Sequence, residues 1–143
     1  MGLNAETPRY LVDAGPLVAA FLSGDRYHAW SRDAFQSLGA PLYTTETVLA
    51  EAAHLLKPAP RSLLNLCTTI HVGRIRLLSV FPAYLPRVAE LIRDYPGRAD
   101  LGDASLVVLS ELHPRALLLT IDRRDFTVYR RADGKSVPCL FPS

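Results

Sequence analysis

Short apolar runs alternate with longer amphipathic stretches along the chain. Tyr10, Leu11 and Val12 form a β-prone run that stops at Asp13-Ala14-Gly15-Pro16, and a helix is expected over residues 17–22, with the proline just inside its start. Ser23-Gly24-Asp25 breaks that helix. A second helix is expected over 28–38, where Ala29, Trp30, Ala34 and Leu38 share a face, and Gly39-Ala40-Pro41 ends it. Leu42-Tyr43 reads as a minimal strand, and Thr44-Thr45 offers an N-cap for a helix over 46–56 that Pro58 and Pro60 stop. The pattern then predicts a helix over 62–72, a strand over 76–80, and a helix over 82–95 with Leu85, Val88, Ala89 and Ile92 stacked. A further helix follows over 100–112. Residues 116–121 are continuously apolar, as in a strand buried on both faces. Ala132-Asp133-Gly134-Lys135 suits a hairpin turn before a last strand over 137–140.

Strands separated by helices imply an α/β fold with a mainly parallel sheet and helices on both faces. At 143 residues, with residues 1–8 as a loose lead-in, the chain has the size of one domain. Its 49% apolar and 21% charged residues are a globular composition. Sixteen Lys and Arg against fourteen Asp and Glu leave +2, too small an excess to point to nucleic acid by itself. No apolar run approaches the length of a bilayer span, and the first residues lack the pattern of a secretory signal. Cys67 and Cys139 are far apart, without a CxxC, so a reducing cytoplasm is the expected setting. Cys67, between apolar neighbours, reads as a small buried hydrophobe.

The acids change this picture. Asp13 and Asp122 each follow directly on one of the most hydrophobic strands, and ligands of doubly wound sheets bind beyond the carboxyl ends of the strands. Each is also a natural turn or cap residue. Glu51 borders the stripe Val48, Ala52, Leu55 and Leu56, which predicts that it does not point squarely to solvent. Asp100 suits an N-cap, whereas Asp103 lies in the first turn of an almost wholly apolar helix and is expected on its core side.

If Asp13, Glu51, Asp103 and Asp122 converge, each like-charged pair at about 4 Å costs roughly 4 kcal/mol at an effective dielectric of about 20. Protons or a cation must offset that. Oxygen ligands without His or Cys favour Mg²⁺, or Mn²⁺ in its place, and a cation so held suits phosphodiester hydrolysis. Other chemistries lack their parts: there is no GxSxG, phosphate-binding glycine loop, GxGxxG or HExxH, and His28, His54, His71 and His113 are not at ligand spacing.

Four blocks carry a resemblance. Tyr-Leu-Val-Asp-Ala-Gly-Pro-Leu-Val (10–18), Thr-Glu-Thr-Val-Leu-Ala-Glu (45–51), Asp-Leu-Gly-Asp-Ala-Ser-Leu-Val (100–107) and Leu-Thr-Ile-Asp-Arg-Arg-Asp-Phe (119–126) resemble the PIN-domain ribonucleases, most closely the VapC-type toxins of toxin–antitoxin pairs. The resemblance spans nearly the whole chain. It implies a five-stranded parallel sheet in an α/β/α sandwich and a Mg²⁺-dependent endoribonuclease. Its acidic quartet falls on Asp13, Glu51, Asp103 and Asp122 as catalytic and metal-holding residues, with Asp100 and Asp125 as auxiliary acids and Thr120 as a hydroxyl facing the metal site. The first block departs from the pattern: Asp13 is followed by Ala14 and Gly15, where many members carry hydroxyl residues.

The resemblance also implies an RNA substrate, a separately encoded antitoxin and a homodimer, with apolar surface between residues 48 and 72 available to either protein contact. Arg123, Arg124, Arg130 and Arg131 follow the fourth block, and Arg74 and Arg76 flank a strand start. They suit an approach for the RNA backbone, and equally a solvated face pairing with Asp125 and Glu111. Two other readings stand beside the toxin. One is an RNA-processing nuclease without an antitoxin. The other is a non-catalytic receiver-like domain, in which Glu51 and Asp103 point away from Asp13.

Overall fold

The computed structural model describes residues 6–143; residues 1–5 of the expected lead-in lie outside the described residues, and residues 6–9 carry no regular structure. Five strands form one sheet: β1 (Tyr10–Val12), β2 (Leu42–Thr44), β3 (Ile75–Leu77), β4 (Leu117–Leu119) and β5 (Cys139–Leu140). Their order is β3-β2-β1-β4-β5, and every pairing is parallel. The helices are α1 (Ala14–Phe21), α2 (His28–Ser37), α3 (Glu46–Leu56), α4 (Pro60–His71), α5 (Leu85–Asp94), α6 (Leu101–Leu112) and α7 (Arg123–Phe126).

The apolar runs explain the centre. Leu11, Val12, Leu118 and Leu119 have no exposed surface, so β1 and β4 are covered on both faces. Tyr10 pairs with Leu117 and Val12 with Leu119, and the Asp13 amide extends the ladder to the Leu119 carbonyl at 3.0 Å. The chain leaves β1 toward β2 on one side, while β4 lies on the other. The strand order therefore reverses between β1 and β4, where a doubly wound sheet opens a crevice at its carboxyl edge.

Several boundaries differ from the sequence expectation, each for a local reason. Helix α1 begins at Ala14, three residues early, because the Asp13 side chain caps it and Pro16 sits within the first turn. Pro60, expected only as a stop, opens α4 at a position where its missing N–H costs nothing. Helix α5 starts at Leu85, since residues 81–84 are a turn. The four-residue α7 was not expected; Asp122 caps it through the Asp125 amide. The expected turn at 132–135 forms, with Arg130 bridging Ser136 in antiparallel fashion, but the last strand joins β4 in parallel. Cys67 is exposed rather than buried, because α4 turns Leu63, Leu66 and Ile70 to the core and Cys67 lies off that face.

Candidate active site

The strand order makes Asp13 and Asp122 neighbours at the carboxyl ends of β1 and β4. Asp13 is 8% exposed and both its oxygens are held. Oδ1 accepts the Ala14 amide and Oδ2 accepts the Thr120 hydroxyl, each at 2.8 Å. Thr120 Oγ1 in turn accepts the Asp122 amide at 3.0 Å, so one fully buried hydroxyl connects the two strand ends. Burial is the main reason the Asp13 carboxyl is pushed up to about 6; the two hydrogen bonds oppose it, and Glu51 and Asp122 add to it.

Asp103 enters from α6. Asp100 caps that helix by accepting the Asp103 amide at 2.8 Å and is itself exposed, while Asp103 is half-buried as its helix pattern implies. The Tyr129 hydroxyl lies 2.6 Å from Asp103 Oδ2. Burial pushes Asp103 up to about 7; Tyr129 works against this, and Asp100, Asp13 and Asp122 reinforce it. A second tie fixes α6 against α3. Ser105 Oγ donates to the Gly102 carbonyl at 2.7 Å and lies 2.8 Å from Thr45 Oγ1, which accepts the Val48 amide as the α3 N-cap. The Thr45 proton is thus left for Ser105, and both hydroxyls are spent in joining the two helix starts.

Asp103, Asp122 and Asp125 present carboxylate oxygens that all lie within 4.8 Å of one another. Burial raises Asp122, as do the charge and side chain of Asp125, while the Asp125 amide and Arg124 lower it. Asp125 also pairs with Arg98 at 2.9 Å, which places a cation beside the cluster. Three carboxylates so close, with oxygen the only donor, fit a hard divalent cation better than zinc.

The expected quartet is therefore distributed unevenly. Asp103 and Asp122 join Asp125 in the tight group, and Asp13 stands beside them, sensed by Asp103. Glu51 is exposed, against the expectation, because the buried stripe of α3 is Val48, Ala52 and Leu56 alone, and Leu55 is 54% exposed. Glu51 nonetheless contributes to the Asp13 environment, and its own carboxyl is raised by partial burial and by Asp100.

The arginines separate by role. Arg123 and Arg124 are exposed beside Asp122. Arg130 turns its guanidinium back onto the carbonyls of Thr127, Val128 and Tyr129. Arg131 is buried and donates to the carbonyls of Ser110 and Pro114, which makes it a packing residue rather than a surface cation. Arg74 precedes β3, at the amino end of the strands, and Arg76 is the middle residue of β3, where it pairs with Glu6. Arg87 holds Glu111 and Arg98 holds Asp125, so among the described residues neither acid pairs with Arg123, Arg124, Arg130 or Arg131.

Tyr129, Arg98 and the Thr45–Ser105 pair were missed in the sequence. Tyr129 packs edge-on against Tyr95 and Phe126 and looks like an ordinary core aromatic; only its contact with Asp103 gives it away. The spacing of Thr45 from Glu51 and of Ser105 from Asp103 carries no signal for a contact 60 residues apart in sequence.

No protein-family profile and no curated protein matches the sequence. Solved structures do match the fold. VapC20 of Mycobacterium tuberculosis, a sarcin–ricin-loop-cleaving toxin, superposes with a TM-score of 0.68 at 17% identity, covering 76% of this chain and 86% of that one. A toxin–antitoxin complex from Klebsiella pneumoniae matches with a TM-score of 0.64 at 19% identity, covering 94% of this chain and 98% of that one. The chain thus shares the α/β fold of these structures, PIN-like, with a parallel five-stranded sheet flanked by helices. Among the described residues no helix is long and apolar enough to cross a membrane.

Proposed function

We propose that this protein is a Mg²⁺-dependent endoribonuclease, the toxin of a toxin–antitoxin pair. The observation that carries this reading is the convergence of Asp103, Asp122 and Asp125 within 4.8 Å, with Asp13 beside them, at the carboxyl edge of the sheet. Asp103, Asp122 and Asp125 would hold the ion, with Asp13 and Glu51 completing the acidic surround. A bound Mg²⁺, or Mn²⁺ in its place, supplies the Lewis acidity that makes water a competent nucleophile at neutral pH and offsets charge on the phosphate. The chain's own part is positional. Thr120 and the Ala14 amide stop the Asp13 carboxylate from rotating, Tyr129 fixes Asp103, and the Asp122 cap fixes the turn that presents Asp125.

Raised carboxyls favour this reading over a receiver-like switch, in which Glu51 and Asp103 would face away from Asp13; here Asp103 senses Asp13 and Asp122, and Asp13 senses Glu51 and Asp122. The neighbours favour a toxin over a processing nuclease, since one cleaves the sarcin–ricin loop and the other is held in a toxin–antitoxin complex. The partners in this reading are RNA, a cognate antitoxin and a second copy of the chain. The exposed Leu55, Leu64 and Val72 of the α3–α4 region supply apolar surface for a protein contact. An intracellular, cytoplasmic site of action follows from an RNA target.

Purified protein incubated with defined single-stranded and hairpin RNAs is expected to cut them with Mg²⁺ or Mn²⁺, and to leave them intact in EDTA. Asp13→Asn should fold normally and lose cleavage. An Asp13→Asn protein that cuts like the wild type, or cleavage indifferent to EDTA, would overturn the proposal. Growth arrest on expression, relieved by a co-expressed antitoxin, separates the toxin from a processing enzyme.

A further inference from the structure

Beside the acid cluster the crevice opens into a cavity of about 350 Å³, bordered by Arg26, Tyr27, Asp122, Arg123, Arg124 and Pro142. That volume lies at the lower end of the roughly 300–1,000 Å³ typical of ligand sites. Three of its side chains are cationic and one is acidic. None of the three guanidinium groups is in an ion pair among the described residues, whereas Arg76, Arg87 and Arg98 each are. Arg124 acts on Asp122 as a nearby positive charge.

The wall contributed by the loop between α1 and α2 is fixed rather than loose. Asp25 Oδ1 accepts the Tyr27 amide at 2.8 Å, the Asp25 carbonyl accepts the His28 amide, and the His28 ring is bonded to the Ala19 carbonyl at 2.7 Å. Asp25 holds the backbone through Oδ1 and forms no ion pair with Arg26. Arg26 lies over the Tyr27 ring at 5.2 Å, which makes a flat cationic and aromatic surface. The Arg123 guanidinium, also lining the cavity, is oriented by the Pro142 carbonyl at 2.7 Å and by the Phe141 ring at 4.5 Å. Guanidinium groups without carboxylate partners recognise phosphate oxygens, and an aromatic ring beside them accepts a nucleobase of any identity.

We propose that this cavity is a nucleotide subsite for single-stranded RNA: Arg123 and Arg124 take the phosphodiester adjoining the cleaved one, and Arg26 with Tyr27 takes its base. The inference rests on the nuclease reading for the position of the cut, but binding at the cavity is measurable without any cut. Arg26 and Tyr27 precede α2, outside all four sequence blocks, which is why the motifs do not mark them.

The test is fluorescence anisotropy of a labelled, short single-stranded RNA in EDTA, over a series of salt concentrations. Arg123→Gln and Arg124→Gln should each weaken binding several-fold and reduce the slope of log affinity against log salt by about 0.7, one phosphate contact apiece. Tyr27→Ala should weaken binding with the slope unchanged. Arg74→Gln, at the other end of the sheet, should match the wild type. With Mg²⁺ present, Arg26→Gln and Tyr27→Ala should raise KM and leave kcat near its original value. Wild-type affinity and slope in both arginine variants would overturn the subsite, even if the protein cuts RNA normally. Arginine-dependent binding without any cleavage in Mg²⁺ would support the subsite and remove the nuclease reading instead.

Discussion

The Tyr129 hydroxyl has two acceptors, Asp103 Oδ2 at 2.6 Å and the Arg98 carbonyl at 3.1 Å, and only one proton to give. When Asp103 is ionised that proton belongs to the carboxylate, and the hydrogen bond holds its acidity against burial and three neighbouring acids. Tyr129→Phe removes the donor and keeps the ring packed between Tyr95 and Phe126. At pH 8 the loss should destabilise the protein by roughly 1.5–3 kcal/mol, the worth of a hydrogen bond to a charged group. Asp103 should also titrate higher, so Mg²⁺ binding measured by calorimetry at pH 7 should weaken, and the rise of cleavage with pH should move upward. An unchanged pH profile would reduce Tyr129 to a packing residue.

A Cβ on Gly15 would meet Ile121 Cγ1 at 2.7 Å and Cδ1 at 2.8 Å. Gly15 lies where the resembled toxins often carry a hydroxyl residue, and here Ile121 fills that space. Gly15→Ala should therefore push Ile121, which sits between Thr120 and Asp122, and cost about 1–3 kcal/mol by overpacking. Cleavage should fall with stability, because the displaced segment carries one acid and the hydroxyl that holds another. Ile121→Ala in the same chain should recover much of both losses. Losses in the double variant that simply add would show that the two positions do not interact.

The layout of this site was legible wherever local sequence determines it. Strand, then acid, then helix cap is a local pattern, so Asp13, Asp100 and Asp122 could be placed at element ends from the chain alone, and the cap roles hold. The half-burial of Asp103 followed from the apolar helix around it. Glu51 is more exposed than its pattern suggests because Leu55 does not belong to the covered stripe; the packing of α3 fully buries Val48, Ala52 and Leu56 and half-covers Leu49, which depends on tertiary contacts. Asp125 looked auxiliary, yet the unexpected helix α7 brings it into the tight group. Arg131 looked like a surface cation in a basic run, but the turn that follows folds it under the end of α6.

Asp13 and Asp103 are raised from an ordinary 3.8 to about 6 and about 7. Between pH 4 and pH 7 the folded, metal-free protein thus keeps protons that the unfolded chain has released. Its stability should fall as the pH rises across that window and level off above it, the reverse of a protein stabilised by ion-paired carboxylates. Mg²⁺ binds the ionised acids, so it should raise the melting temperature markedly at pH 8 and little at pH 4.5. Melting curves at several pH values, in EDTA and in Mg²⁺, check both. An equal gain from Mg²⁺ at every pH would mean that the ion binds elsewhere.

Arg98 bonds Asp125 at 2.9 Å and the Arg124 carbonyl at 3.3 Å from the same nitrogen. With Arg124 it is a positive charge that partly offsets the cluster when no ion is bound, and it competes with an ion for the Asp125 oxygens. Arg98→Gln keeps a donor for the Arg124 carbonyl and removes that competition. The pair is partly exposed, so the metal-free protein should lose only about 0–1 kcal/mol. Mg²⁺ affinity, read by calorimetry, should rise several-fold, and the gain in melting temperature on adding Mg²⁺ should exceed that of the wild type. Weaker Mg²⁺ binding in Arg98→Gln would instead mean that Arg98 orients Asp125 for the ion, and that the salt bridge is part of the loaded site rather than its substitute.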